Sequence, residues 1–324
     1  MPQGCLAAYS VSRSLLTWRT SPNNNGGSAP FATEGTRMSA SENPIFLRQR
    51  LRDRLKRARE AADLTQQQVA DSFGWSPSKV IRIENGKIGV SVTDAMALLG
   101  KYGIAGEEAD QLIALAKAAR QPTWYSGYRQ IISPEFQAYL AYEESASIVR
   151  NFARNVIPGL MQTEEYARTL LRGFNEGEGA EKGDLEMRVE LRMRRQRVLE
   201  SDSAQFFFVL DEAALRRFVG GDTVMRQQYE ALLRTNELPN VKVMYVPFTA
   251  GIYPLFRTPY QVFEFPSDND DLVAYLETPE GEVLLSEKTP RAGRRLQPAD
   301  YLDTFWKVEK TVAVEITEEI LLGK

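Results

Sequence analysis

No histidine occurs among the 324 residues, and cysteine occurs once, at Cys5. The first absence excludes Ser–His and Cys–His nucleophilic machinery, imidazole general bases and histidine-ligated metals. The second excludes disulfides within the chain, CxxC redox pairs and cysteine-rich zinc sites, and fits a reducing, cytoplasmic compartment. Long apolar runs are missing too: no stretch approaches the about 18 residues that a membrane-spanning helix needs. A cytoplasmic protein with no membrane contact, metal or cofactor is the expectation.

What is present is ordinary for a globular chain: 43% hydrophobic, 10% aromatic and 26% charged residues, which excludes a fibrous or wholly disordered protein. The length suits two domains. The net charge of −3 conceals an asymmetry. Residues 45–105 carry eleven Lys/Arg against six Asp/Glu, a net +5; residues 1–44 carry +1, which leaves −9 for residues 106–324. A small basic module joined to a larger acidic one points to nucleic acid as a partner.

Residues 1–43 show no sustained apolar period, and the run Ser21-Pro22-Asn23-Asn24-Asn25-Gly26-Gly27 consists of structure breakers. Arg13 and Arg19 among serines, with no acid before Glu34, raise a targeting peptide as a reading, but the apolar stretch at Leu15-Leu16 is too short for a secretory core. The segment reads as a disordered extension, with Met38 as an alternative start.

Helical periodicity begins at Pro44. Leu51, Leu55, Ala58 and Ala62 form an apolar stripe, while Arg48, Arg50, Arg52, Arg54, Lys56, Arg57 and Arg59 occupy the other faces. Thr65 is placed to cap a second helix, and Gln68 completes a capping box. Gly74 supplies the left-handed residue that closes it. A third helix opens with Ser76 as cap and Pro77 at its first position, and stops at Asn85-Gly86. Further helices are predicted at about 92–102 and 107–120. Two short helices joined by a glycine-containing turn, behind a longer first helix, make a helix-turn-helix.

The residues Leu64-Thr65-Gln66, Val69-Ala70, Gly74, Ser76, Val80 and Arg82-Ile83-Glu84-Asn85-Gly86 resemble the Xre (phage-repressor-like) DNA-binding family over roughly residues 47–103. Asp63 departs from the glycine usual there, although Asp tolerates left-handed geometry better than most residues. A recognition helix presents its N-terminal residues to base edges while neighbouring groups grip phosphates. On the third helix Ser78 and Arg82 share a face, with Lys79 beside them. Arg82 or Lys79 has the reach for a guanine O6/N7 edge, and Ser78 for a base or a phosphate. Ser76 is grouped with the DNA-binding residues, and Asn85 and Lys87 are candidate phosphate clamps. The resemblance implies that Gln66 contacts the DNA backbone and braces the recognition helix. It also implies a structural ion pair between Arg59 and Glu84. Ile81 stands between two readings, a methyl contact to thymine and ordinary packing.

Residues 124–324 read as α+β. Helices are predicted over 134–151, 163–172, 184–200, 224–236 and 298–312, and strands over 205–210, 241–246, 260–265, 272–277 and 283–286. The last three strands are spaced as an antiparallel meander. The stretches Val156-Ile157-Pro158-Gly159-Leu160-Met161-Gln162-Thr163-Glu164-Glu165-Tyr166-Ala167-Arg168, Leu210–Arg216, Leu238–Val243, Val246-Pro247-Phe248 and Phe263-Glu264-Phe265-Pro266 resemble the large C-terminal domain of actinobacterial antitoxin-like Xre regulators, the group that includes the WhiJ-like regulators. The expected architecture is a mainly α, five-helix helix-turn-helix domain over 44–105, a connecting helix over 106–123, and an α+β domain over 124–324 with a mostly antiparallel sheet.

Asp211, Glu212, Glu264, Asp268, Asp270, Asp271 and Glu277 offer carboxylates, but no diagnostic metal or catalytic spacing. Arg188, Arg192, Arg194, Arg195 and Arg197 form a basic helix for which contact with DNA or an acidic partner competes with a solvated face laced by i,i+4 pairs, and the solvated face is the preferred reading. Trp124, Tyr125, Tyr128, Phe136 and Tyr139 stand between the lining of a ligand pocket and core or interdomain packing, and packing is the preferred reading. The expectation is therefore not an enzyme. It is a sequence-specific transcriptional regulator, a dimeric autorepressor on double-stranded operator DNA upstream of its own gene. The family resemblance implies a small acidic partner protein from a neighbouring gene. The competing reading makes the C-terminal domain a small-molecule sensor.

Overall fold

The computed structural model describes residues 43–175, 182–266, 272–278, 281–287 and 296–322. The expected N-terminal extension up to residue 42, with Cys5 and Met38, and the acidic-turn residues Asp268, Asp270 and Asp271 lie outside the described residues.

Five helices open the described chain: α1 (Pro44–Ala61), α2 (Gln66–Phe73), α3 (Pro77–Glu84), α4 (Val92–Tyr102) and α5 (Gly106–Ala118). Asn43 caps α1, its Oδ1 accepting from the Ile45 amide at 2.9 Å, with Pro44 at the first position where a missing N–H is harmless. Leu51 and Leu55 from α1, Val69 and Ala70 from α2, Val80 from α3 and Leu98 and Leu99 from α4 bury together in one small core. Each fully buried leucine or valine contributes roughly 1.5–3 kcal/mol, which holds helices too short to persist alone. Asp63, between α1 and α2, has φ 54°, a left-handed geometry that aspartate, with its short polar side chain, tolerates better than most residues.

The C-terminal region contains α6 (Pro134–Ser145), β1 (Ile148–Ala153), α7 (Glu164–Asn175), α8 (Lys182–Arg195), β2 (Gln205–Asp211), α9 (Glu212–Arg216), α10 (Asp222–Asn236) and β3 (Val241–Val246). It continues through β4 (Tyr260–Glu264), β5 (Val273–Thr278), β6 (Gly281–Ser286), α11 (Pro298–Thr311), β7 (Val314–Glu315) and α12 (Glu318–Leu322). The strands form a seven-stranded sheet in the order β6-β5-β4-β1-β2-β3-β7. β1, β2 and β3 run parallel, and the other four pairings are antiparallel, so an α/β centre carries antiparallel flanks.

Alternation along each strand divides the core in two. Val149, Phe206, Phe208, Val243, Phe263 and Tyr275 face one cluster, while Phe152, Val209, Met244, Val262 and Leu276 face the other, where Phe305 of α11 covers them. Burial on both faces is what a parallel centre requires.

The expected helix over 134–151 is shorter than its pattern suggested. Ala146 turns to extended backbone (φ −72°, ψ 143°), the Ser147 amide donates to the Glu264 carbonyl at 2.8 Å, and the chain enters the central strand β1. Arg150 and Asn151 masked this strand in the sequence. Arg150 is tolerated inside because its Nε donates to Glu264 Oε1 at 2.8 Å and its guanidinium lies 4.6 Å from the Phe207 ring.

The helical module is not packed independently of the sheet. Phe46 of α1 stacks on Phe265 with 4.6 Å between centroids, and its neighbours in the same core are Tyr142 and Tyr125. The Asn43 amide donates to Ser145 Oγ at 3.1 Å, Tyr142 donates to Gln49, and Arg48 Nε donates to the Ala119 carbonyl at 2.6 Å.

Candidate nucleic-acid interface

The turn between α2 and α3 is built by local chemistry. Thr65 Oγ1 accepts from the Gln68 amide at 3.1 Å while Gln68 Oε1 accepts from the Thr65 amide at 2.8 Å, so the capping box is closed on both sides. Gly74 then adopts φ 62°, and its amide and that of Trp75 return to carbonyls of α2. Nothing lies within 4 Å of where a Gly74 Cβ would sit, so glycine is there for its backbone freedom and not for space.

On α3, Val80 points into the small core at 2% exposure, and Ile83 is buried at 3%. Ser78, Ile81, Arg82 and Asn85 follow at helical spacing on the opposite, exposed face. Ile81 is 40% exposed, so ordinary core packing does not account for it. Among the described residues the Arg82 guanidinium has no hydrogen-bond or ion-pair partner.

Two members of the expected reading surface are oriented differently. Lys79 Nζ reaches Asp94 Oδ1 at 2.9 Å and lies 3.5 Å from the centre of the Trp75 ring, so its charge is held against the start of α4. Ser76 occupies the cap position of α3, yet its hydroxyl makes no capping bond and pairs instead with the Ser78 hydroxyl at 3.0 Å. The structure therefore brings Ser76, Ser78, Ile81, Arg82 and Asn85 onto one exposed surface, with Lys87 exposed just beyond α3, and turns Lys79 aside.

Beneath that surface lies a three-residue lock. Arg59 Nε is 2.6 Å from Glu84 Oε1, Arg59 Nη2 is 2.9 Å from Oε2, and Gln66 Nε2 donates to the same Oε2 at 2.7 Å. Arg59 also donates to the Leu64 carbonyl at 2.7 Å. Burial pushes the Glu84 carboxyl up, but the hydrogen bonds from Arg59 and Gln66 outweigh it and hold the group below its ordinary value. The hydrogen bond to Glu84 likewise raises Arg59. The pair is geometrically bidentate and is unsuited to reading DNA.

Sequence reasoning left Arg52 on a basic outer face of α1 and passed over Trp75 and Asp94. A Cβ on Gly86 (φ 69°) would stand 2.5 Å from Arg52 Nη1, which shows that the Arg52 side chain crosses from α1 to the end of α3. Arg52, Lys56, Arg57 and Asn85 line one groove there. The i,i+7 spacing of Arg50 and Arg57 is visible in sequence, but the approach of Arg52 to residue 86 depends on how α1 crosses α3.

In the C-terminal region the candidate carboxylates are dispersed. Asp211 caps α9 through the Ala213 amide at 2.8 Å and accepts from the Tyr253 hydroxyl. Glu212 accepts from the Phe248 amide at 2.7 Å, and Glu264 is committed to Arg150. Among the described residues no group of three or more Cys, Asp or Glu is placed to hold a metal ion, and no helix is long and apolar enough to cross a membrane. The basic helix α8 departs from its expected solvated role: Arg195 turns inward to Glu143, with Nη2 to Oε2 at 2.6 Å, and Arg192 Nη1 donates to Gln162 Oε1 at 2.8 Å. The aromatic cluster divides, with Tyr125, Tyr128 and Tyr139 buried in the core and Trp124 and Phe136 packed at its margin.

A capped, basic helix-turn-helix carrying an exposed polar helix face, joined to an α+β region, suggests a DNA-binding regulator. Residues 50–112 match the family described as a helix-turn-helix domain. Residues 136–302, just over half the chain, match the family described as a domain of unknown function, DUF5753, and the chain belongs to that family. No curated protein matches the chain.

Proposed function

We propose that the chain is a sequence-specific transcriptional regulator that binds double-stranded DNA with α3 in the major groove. The observation that carries this reading is the exposed row Ser78, Ile81, Arg82 and Asn85 on a helix whose opposite face is buried. Arg82 supplies a bidentate donor for a guanine edge, and Ile81 an apolar contact for a thymine methyl group. Ser76, Ser78, Asn85 and Lys87 serve phosphates, and Gln66 braces the reading helix from below while facing the DNA backbone. Lys79 contributes once its bridge to Asp94 opens.

One short reading helix covers too few base pairs for genomic specificity, which favours a dimer on a two-fold operator. Autorepression at DNA upstream of its own gene and an Xre-type, antitoxin-like lineage complete the reading. For the C-terminal region, a cavity lined by α8 arginines favours small-molecule sensing over the docking of a small acidic protein from a neighbouring gene.

The test is fluorescence anisotropy with the upstream region at several salt concentrations, comparing wild type with Arg82→Ala. The expected outcome is a complex that weakens steeply with salt in both, with sequence preference lost only in the variant. Equal wild-type affinity for the upstream region and for scrambled DNA would sink the reading.

A further inference from the structure

A cavity of about 560 Å³ opens beyond the carboxyl ends of β1 and β5. β1 pairs parallel with β2 on one side and antiparallel with β4 on the other, so the sheet changes sense at this point. Crevices outside the carboxyl ends of parallel strands are a common place for ligands in open α/β sheets. The volume falls within the range of roughly 300–1,000 Å³ typical of small-molecule sites.

The lining combines aromatic walls with unbalanced positive charge. Phe136 and Tyr139 of α6, Tyr260 of β4 and Tyr275 of β5 supply ring faces and edges. Arg154, Arg192, Arg195 and Arg217 supply four guanidinium groups, against the single carboxylate of Glu277. Arg195 is already neutralised by Glu143, at 2.6 Å. The other three lack such a partner among the described residues. Arg192 donates to the neutral Gln162, Arg217 Nε donates to the Asn155 carbonyl at 2.9 Å, and Arg154 lies 5.9 Å from the Phe256 ring. Gln162 is itself fixed by its bond to the Ile157 carbonyl at 2.6 Å, so Arg192 is held in place by a residue that offers no charge.

A second cavity of about 900 Å³ shares Phe136, Arg192, Arg195 and Glu277 with the first and adds Arg188 together with the carboxylates Glu135 and Glu282, so the excess of positive charge belongs to the first cavity. Arg188, Arg192 and Arg195 lie at i, i+4 and i+7, one face of α8 turned toward the hollow. Arg188 Nε is buried with no hydrogen-bond partner among the described residues. Burial, reinforced by the like charge of Arg195, pushes Arg192 down to about 10 in spite of Glu277. A guanidinium kept desolvated with no carboxylate bonded to it is costly, and an arriving anion would relieve that cost through charge-assisted, bidentate hydrogen bonds.

We propose that this cavity is the receptor site for a small organic anion, its acidic group held by Arg192 in the field of Arg154 and Arg217, and its apolar or aromatic body lying against Phe136, Tyr139, Tyr260 and Tyr275. Glu277 disfavours a second negative charge at its end of the site and accepts a hydroxyl or amino hydrogen there. The inference deepens the sensing reading above, and it rests on ligand contacts that are measurable without DNA.

The experiment titrates the full chain with 8-anilinonaphthalene-1-sulfonate and, separately, with its uncharged counterpart N-phenyl-1-naphthylamine. Saturable binding of one sulfonate per chain is expected, weakened about tenfold or more by Arg192→Gln while the uncharged probe changes by less than about twofold. Arg197→Gln, on an exposed residue, should leave both probes unaffected. If Arg192→Gln does not fold by circular dichroism, Arg154→Gln carries the same comparison, with a smaller loss. Displacement by 1-naphthoate or by 1-naphthyl phosphate supports the site and identifies the preferred acidic group. Equal binding of charged and uncharged probes, no effect of either substitution in a folded chain, or displacement by neither anion would overturn it. DNA anisotropy on the same samples separates the two readings: DNA binding without a selective anion site removes only this inference, and an anion site without DNA binding removes only the regulator reading.

Discussion

Gln66, the first residue of α2, donates through Nε2 to Glu84, the last residue of α3, across 2.7 Å. Arg59 of α1 grips the same carboxylate from the other side. One acidic group therefore ties three helices at a single point, and the angle of α3 against α1 and α2 depends on it.

Glu84→Ala should destabilise the helical module by about 3 kcal/mol, the scale of hydrogen bonds to a buried charged group, and leave Arg59 without its counter-charge. Because the Glu84 carboxyl is held below its ordinary value in the folded chain, its contribution is complete above about 4.5 and is lost as pH falls through the lower folded value. Melting temperatures measured by circular dichroism from pH 7 to pH 3 should therefore fall less steeply on the acid side for Glu84→Gln than for wild type. Parallel acid limbs would show that the lock does not contribute.

Gly74 tests the turn. With φ 62° and open space around the missing Cβ, Gly74→Ala meets only the conformational penalty of about 1 kcal/mol, and Gly74→Asn less. Urea unfolding of the three proteins should give the order Gly, Asn, Ala in decreasing stability. A loss far above that scale for alanine would mean a steric clash that the geometry does not contain.

Lys79 and Arg82 should separate. Arg82→Ala should cost about 1–3 kcal/mol on the preferred sequence and little on scrambled DNA. Asp94→Asn leaves the amide of residue 94 capping onto Ser91 Oγ, but removes the charge that holds Lys79. Its expected outcome is stronger binding to all DNA sequences, with a salt dependence steeper by about one ion. Unchanged salt slopes would show that Lys79 never turns outward.

The helical module was readable because its signals are local. Thr65 with Gln68, Gly74, and Pro77 at the start of α3 each act within a few residues of backbone, and the structure places each where its own chemistry demands. The same locality explains the errors. Nothing within four residues of Lys79 announces Asp94, which lies fifteen residues on. The strand β1 was hidden because Arg150 and Asn151 break the apolar run of a buried strand, and the groups that make Arg150 tolerable, Glu264 and Phe207, come from distant strands. The α8 arginines match a solvated pattern by spacing alone, and only the fold reveals that Glu143 and Gln162 wait beneath them.

Phe46→Ala should lower stability by about 3 kcal/mol, as expected for removing a buried ring, although Phe46 precedes every residue of the turn itself. Differential scanning calorimetry is the check. Wild type should melt in one transition, and the variant should show the helical module melting apart from the sheet. Coincident melting in both proteins would mean that Phe46 is not what couples them.

That shared helix gives the molecule a lever. α1 places Phe46 in the core of the sheet and Leu51 and Leu55 in the core beneath the reading helix. Its 18 residues span roughly 27 Å at 1.5 Å per residue. A tilt of about 10° at the Phe46 end would carry the far end by roughly 5 Å on that length. In the proposed dimer the two reading helices would have to match half-sites about 34 Å apart, and displacements of that size would be enough to put them in or out of step with the groove. The fulcrum is the contact between α1 and α6, where Tyr142 donates to Gln49 and Ser145 accepts from the Asn43 amide. One and about two turns earlier on α6 stand Tyr139 and Phe136, walls of the arginine-lined cavity. Small repacking of those two rings would thus be magnified, by leverage along a single rigid rod, into a change of pitch at the DNA.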